Sequence, residues 1–166
     1  MTDLSHLKGK PAISIMMVCM GNICRSPAAE VVLRHKLAAA GLEHVVVDSS
    51  GTGGWHEGEG ANPRSIRTWE RRGYRGDHTA RQLQRSWFAE RDLLLVMDED
   101  NYETVLSRAP DDVAKDKVRF LRTFDPDADD LIVPDPYYGT DDDFEHMLTL
   151  IEAACDGLVE QLRRLR

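Results

Sequence analysis

The chain is short of cysteine, aromatic residues and long apolar runs. Only three cysteines occur in 166 residues, too few and too odd a number for a disulfide framework, which points to a reducing compartment. No stretch approaches the roughly 20 apolar residues needed to span a bilayer. The opening Met-Thr-Asp-Leu-Ser-His lacks the basic region and apolar core of a secretory signal, so the expected location is the cytoplasm, with no membrane partner. Net charge is −8, and no extended basic stripe of the kind a nucleic-acid binder requires is present. No Cys/His pairs stand at zinc spacing, so no metal and no cofactor are expected. Repeats and low-complexity linkers are also missing, and the length suits one domain with a sizeable core.

What is present is a strand-loop-helix signature. Residues 12–18 are apolar and read as a buried strand. Ser26-Pro27 reads as a helix start, with Ser26 as N-cap, Pro27 at the first helical position and Glu30 in the first turn. Between them lies Cys19-Met20-Gly21-Asn22-Ile23-Cys24-Arg25. A strand-to-helix loop can turn its N–H groups inward as an anion nest backed by the helix terminus. Gly21 admits backbone geometry that a side chain resists. A free cysteine is only a few per cent ionised at neutral pH, and a helix N-terminus beside a guanidinium favours the anion. Ser26 can donate its hydroxyl to the sulfur. Arg25 has the planar fork that grips two oxygens of a phosphoryl group. Cysteine, arginine and amide ring together suit attack on a phosphate ester.

The remaining pattern alternates strands (about 12–18, 45–49, 92–97, 118–121) with helices (about 26–40, 62–73, 99–108, 141–165). This predicts a single-domain α/β three-layer sandwich with a four-stranded parallel sheet, its phosphate-binding loop after the first strand. Residues 1–11 are expected as a flexible tail, and 12–166 as the domain. In the last helix, Thr140 and Asp141-Asp142-Asp143 cap the start, and an apolar face runs from Phe144 to Leu165. Residues 123–162 hold twelve acidic groups and no Lys or Arg. Arginines cluster instead at 64–85, so the site's mouth is expected to be locally positive, although the arginines on 64–75 also suit a solvated helix face.

The segment Val18-Cys-Met-Gly-Asn-Ile-Cys-Arg-Ser-Pro27 resembles the signature loop of the low-molecular-weight protein tyrosine phosphatases. Asp135-Pro-Tyr-Tyr-Gly139, Asp48-Ser-Ser-Gly-Thr52, His78-Thr-Ala-Arg-Gln82 and Val96-Met-Asp-Glu-Asp-Asn101 extend the likeness, which is strongest to actinobacterial members. The resemblance implies Cys19 as nucleophile, residues Met20 to Ser26 as the phosphate cradle, and Arg25 as its clamp. It implies Asp135 as general acid and then base; phenolate departure needs such an acid, Asp135-Pro136 holds the residue extended, and burial near aromatic rings would favour its protonated form. Trp55, Tyr137 and Tyr138 would line the aryl slot, while Asn22, Ser49, His78 and Asp98 would brace the loop. Cys24 either captures an oxidised Cys19 or simply packs, and both readings stand. Partners would be phosphotyrosine-containing proteins, with the enzyme a monomer or weak homo-oligomer.

Three other functions compete: an arsenate reductase of the same fold, a phosphoarginine phosphatase, and a non-catalytic phosphotyrosine-binding module. No cysteine lies between Cys24 and Cys155 to relay electrons. Ile23 and the paired tyrosines favour an aryl ester. Joint presence of Cys19 and Asp135 exceeds what binding alone requires.

Overall fold

The computed structural model describes residues 3–166. The sheet has the order β2-β1-β3-β4, with β1 Ile13–Cys19, β2 Val45–Gly51, β3 Leu93–Val96 and β4 Val118–Phe120. All three pairings are parallel. The helices are α1 Arg25–Ala39, α2 Pro63–Arg71, α3 Trp87–Glu90, α4 Glu99–Arg108, α5 Asp112–Lys115 and α6 Asp141–Arg164.

The central strands are apolar throughout because both faces are covered. Ile13, Ile15, Met17, Leu93 and Leu95 point into a core completed by α1 and α6. Met16, Val18, Leu94 and Val96 point the other way, against Phe88 of α3, Val105 of α4 and Ala114 of α5. Period-2 alternation thus builds the three layers. α6 is held at its start by a capping box, with Thr140 and Asp143 bonding reciprocally, and it buries Phe144, Met147, Leu148, Ile151, Cys155, Leu158 and Leu162. Among the described residues no helix is long and apolar enough to cross a membrane.

Two expectations change. Within the expected N-terminal tail, Ser5–Leu7 form a 3-10 turn, and Leu4 and Leu7 are buried in the α1/α6 core. Leucines at this spacing supply enough apolar area to dock a short turn. The arginines of 64–75 do not simply solvate a face. Arg64 pairs with Asp141, Arg71 with Glu145, and Arg72 with both Glu145 and Glu152. The basic α2 and the acidic α6 are each other's counterions.

Strand order reverses between β1, whose chain crosses to β2 on one side, and β3 on the other. The carboxyl end of β1 at this switch point is where open α/β sheets bind ligands. Cys19 is its last residue.

Candidate active site

The chain turns from β1 into α1 over Met20–Cys24. α1 starts at Arg25, not at Ser26, and its N-cap is Cys24, which makes no side-chain capping bond. Ser26 is free of that duty because its hydroxyl faces inward, 3.0 Å from Cys19 Sγ. It also accepts from Asn22 Nδ2 at 2.8 Å.

The loop's carbonyls are pulled outward one by one. Cys19 O accepts from Thr52 N and Met20 O from Gly53 N, each at 2.9 Å. Asn22 O accepts from His78 Nε2 at 2.7 Å, Ile23 O from Asn62 N at 2.8 Å, and Cys24 O from Ser65 Oγ at 3.0 Å. The N–H groups from Met20 to Arg25 make none of these bonds and are left facing the concave side with the α1 terminus. Asn22 carries the strain of the reversal at φ 59°, the left-handed region that Asn tolerates better than most residues. Its side chain donates to Ser26 and Ser49 and accepts from Arg81 N at 2.9 Å. Gly51 lets the loop lie against β2, since a Cβ there would stand 2.7 Å from Met20 O.

Beneath the loop, Ser49 Oγ donates to Glu30 Oε1 at 2.6 Å, and Arg34 pairs with the same carboxylate. His78 Nδ1 stands 3.9 Å from Glu30. Burial lowers the His78 pKa, opposed by its bond to Asn22 O and by Glu30. Burial also pushes the Cys24 thiol up to about 12, with the Cys19 and Asp135 charges adding to the effect.

Arg25 is 3% exposed and its fork is aimed by one nitrogen. Nη1 donates to Asp98 Oδ2 at 2.6 Å and to Val133 O at 3.0 Å. Nη2 is left toward the cavity, 3.7 Å from Asp135 Oδ2. Asp135 Oδ1 accepts from Tyr137 N at 3.1 Å, which orients the carboxylate. Its side chain is 38% exposed, at the rim and not buried among rings as expected.

Cys19, Ile23, Cys24, Arg25 and Asp135 share one cavity of about 320 Å³ with Trp55, His56, Tyr137 and Tyr138. The two tyrosine rings meet edge to face at 4.8 Å, and Trp55 is 72% exposed on the opposite wall. All the residues singled out in the sequence therefore converge here, with Ser49, His78 and Asp98 behind the cavity wall. None of the arginines of 64–85 lines this cavity, so the cluster does not form the positive mouth expected of it, and His56 on the wall is bonded to Glu59 at 3.2 Å. His56, Glu30, Arg81 and Val133 were not anticipated. His56 follows Trp55 directly, the only signal available; the others act through geometry that no local pattern reveals.

Fold and loop define an α/β enzyme built around a phosphate-sized anion cradle with a thiol at its base. Over residues 14–166 the chain matches the family described as low molecular weight phosphotyrosine protein phosphatase. It is 49% identical over 152 residues to a low molecular weight protein-tyrosine-phosphatase of Streptomyces coelicolor, covering 90% of this chain and 93% of that protein. Identity to the low molecular weight phosphotyrosine protein phosphatase of Sus scrofa is 37% over 153 residues, with 90% and 96% covered. A crystal structure of a protein tyrosine phosphatase from Entamoeba histolytica, with Hepes in its active site, superposes at TM-score 0.88 and 36% identity, covering 92% of this chain and 98% of that one. The chain belongs to the low-molecular-weight protein tyrosine phosphatase family and is an enzyme of the hydrolase class.

Proposed function

We propose that the chain hydrolyses phosphotyrosine in cytoplasmic proteins through a phosphocysteine intermediate. The observation that carries this reading is the shared cavity, with Cys19 and Arg25 at its floor and Asp135 at its rim. The Cys19 thiolate, solvated by the Ser26 hydroxyl and the α1 terminus, attacks phosphorus. The aryl P–O bond breaks while Asp135 gives its proton to the leaving phenolic oxygen. Arg25 Nη2 and the N–H groups of the loop hold the equatorial oxygens, and their fixed orientation stabilises charge in the transition state without reorganisation. Because Nη1 is already committed to Asp98 and Val133, an entering phosphate competes only for the loose 3.7 Å contact with Asp135.

In the second step water attacks the phosphocysteine, and Asp135, now a carboxylate, takes its proton. The S–P bond breaks, inorganic phosphate departs, and Ser26 stabilises the sulfur anion as it leaves. A phenyl ring entering between Trp55 and the Tyr137–Tyr138 pair would cover Asp135 and fill the aryl slot. A phosphoserine side chain is too short to do either. The Entamoeba relative holds Hepes, a sulfonate, in its active site, in keeping with an anion cradle. The test is phosphate release from a phosphotyrosine and a phosphoserine peptide, under reducing conditions, for wild type and Cys19→Ser. The reading requires turnover of phosphotyrosine alone, abolished in the variant. A wild type inert on phosphotyrosine but active on phosphoarginine would replace it.

A further inference from the structure

At the edge of the sheet a second and larger depression, about 750 Å³, runs along β4. None of its lining residues belongs to the cavity that holds Cys19. β4 pairs with β3 on one side only and ends the sheet. Leu94 N donates to Lys117 O at 2.9 Å. In a parallel ladder alternate residues face the partner strand, so Val118 and Phe120 turn their N–H and C=O groups away from β3. Phe120 O caps the 3-10 turn Leu121–Phe124 that follows, and among the described residues no loop, turn or side-chain bond takes up the N–H and C=O of Val118 or the N–H of Phe120. A strand edge left in this state is a template for another extended segment.

The charge of this edge is opposite to that of the molecule. Three of the five lysines in the sequence, Lys10, Lys115 and Lys117, line the depression together with Arg119, on a protein of net charge −8. Its two carboxylates are Asp92 and Asp116, and Asp92 is engaged by Lys10 at 2.6 Å. Lys117 Nζ donates to Phe88 O and Arg119 Nη1 to Asp3 O. Backbone carbonyls satisfy those hydrogen bonds without cancelling the lysine's charge, while Arg119 also feels the nearby Asp3 carboxylate. Two exposed aliphatic side chains, Val113 and Leu131, stand along the same depression, beside the stacked rings of Tyr102 and Phe120, whose centroids are 4.8 Å apart.

We propose that the outer edge of β4 is a docking site for an extended acidic segment of a partner protein, which adds to the sheet as a fifth strand. Main-chain bonds to Val118 and Phe120 would give it register. Alternate Asp or Glu side chains would meet Lys115, Lys117 and Arg119, and the intervening apolar ones would meet Val113 and Leu131. A second copy of this chain does not fit edge to edge, because it would bring the same cations face to face. A nucleic acid would satisfy the charge but has no use for a strand edge. Binding here is independent of the chemistry at Cys19.

The experiment uses fluorescence polarisation of the full chain with a labelled peptide of alternating Glu and Val. Two control peptides replace Glu by Lys, or replace the central Val by Pro. Amide hydrogen exchange is followed with and without the Glu/Val peptide. The expected results are binding of that peptide alone, slowed exchange at Val118 and Phe120, and about tenfold weaker binding by Lys115→Glu/Lys117→Glu. That variant should turn over a small aryl phosphate as wild type does, which shows that it is folded. Equal binding of the proline peptide, unchanged exchange at Val118 and Phe120, undiminished affinity in the double variant, or displacement by duplex RNA as effective as by unlabelled peptide would each overturn the proposal. So would a concentration-dependent dimer that occludes the edge.

Discussion

Asp98 performs two tasks with its two oxygens, and substitution separates them. Oδ2 accepts from the buried Arg25 Nη1 at 2.6 Å, and Oδ1 accepts from Asn101 N at 2.8 Å, capping α4. Asp98→Asn keeps the capping oxygen but removes the charge facing Arg25. Removing one partner of a buried pair costs about 3–5 kcal/mol. Here the cost is nearer ~2 kcal/mol, because Val133 O and Asp135 still face the guanidinium and Asp98 is only partly buried. Asp98→Ala loses the cap as well, a further ~1 kcal/mol. In urea, with m about 2 kcal/mol/M for a domain of this size, the midpoints should fall by about 1 M for Asn and about 1.5 M for Ala. With its aiming bond gone, the fork swings off axis, and kcat on a phosphotyrosine peptide should drop by about 10²-fold in both variants. An Asn variant as stable and as active as wild type would refute the argument that Asp98 holds Arg25. Equal midpoints for Asn and Ala would refute the capping role.

Three further outcomes follow from the loop. Gly51→Ala places a Cβ 2.7 Å from Met20 O and 3.0 Å from Asn22 N, backbone that must shift. The expected cost is about 1–3 kcal/mol, with kcat/KM lower by about 10²-fold; unchanged kinetics would mean that the loop tolerates displacement. Burial holds Cys24 as a thiol, its pKa pushed up to about 12, so brief iodoacetamide treatment at pH 7.5 should modify Cys19 and spare Cys24 in peptide mass maps. Comparable labelling of both would contradict the packing described. Burial lowers the His78 pKa, so the unfolded chain takes up its proton first, near the ordinary value of about 6.5. Stability is therefore unaffected above that pH and falls as pH drops below it. The urea midpoint of His78→Gln should decline less between pH 7 and 5 than that of wild type, and parallel declines would remove His78 as a cause.

The sheet and its signature loop were legible because β1 is buried on both faces and the loop's chemistry is local. Cys19, Arg25 and Ser26 lie within eight residues, between a strand and a helix that the sequence itself marks. The capping box of α6 was equally plain, with Thr140 and Asp143 three apart. Ser26 misled as an N-cap because Ser-Pro is a common helix start, yet the sulfur 3.0 Å away competes for its hydroxyl. Leu4 and Leu7 escaped notice because a three-residue turn has no periodicity to read. Glu30 looked like a first-turn carboxylate complementing a dipole. Of its actual partners, Arg34 stands one turn on in the same helix, but Ser49 and His78 come from other segments, and only packing brings those two to it. The arginines of α2 could not be matched to Glu145 and Glu152 without knowing that α6 lies across them.

The late position of that last helix sets a timetable for synthesis. Cys19 and its loop leave the ribosome early, whereas Val133, which aims Arg25, and Asp135 come more than a hundred residues later, followed by the α6 that covers α1. At 5–20 residues per second, the interval is on the order of ten seconds. During it the nascent chain carries the thiol without the carbonyl that aligns its guanidinium or the helix that seals its core. Catalytic competence therefore arrives only with the final quarter of the polypeptide, and a ribosome stalled before it holds a thiol that cannot yet turn over an ester.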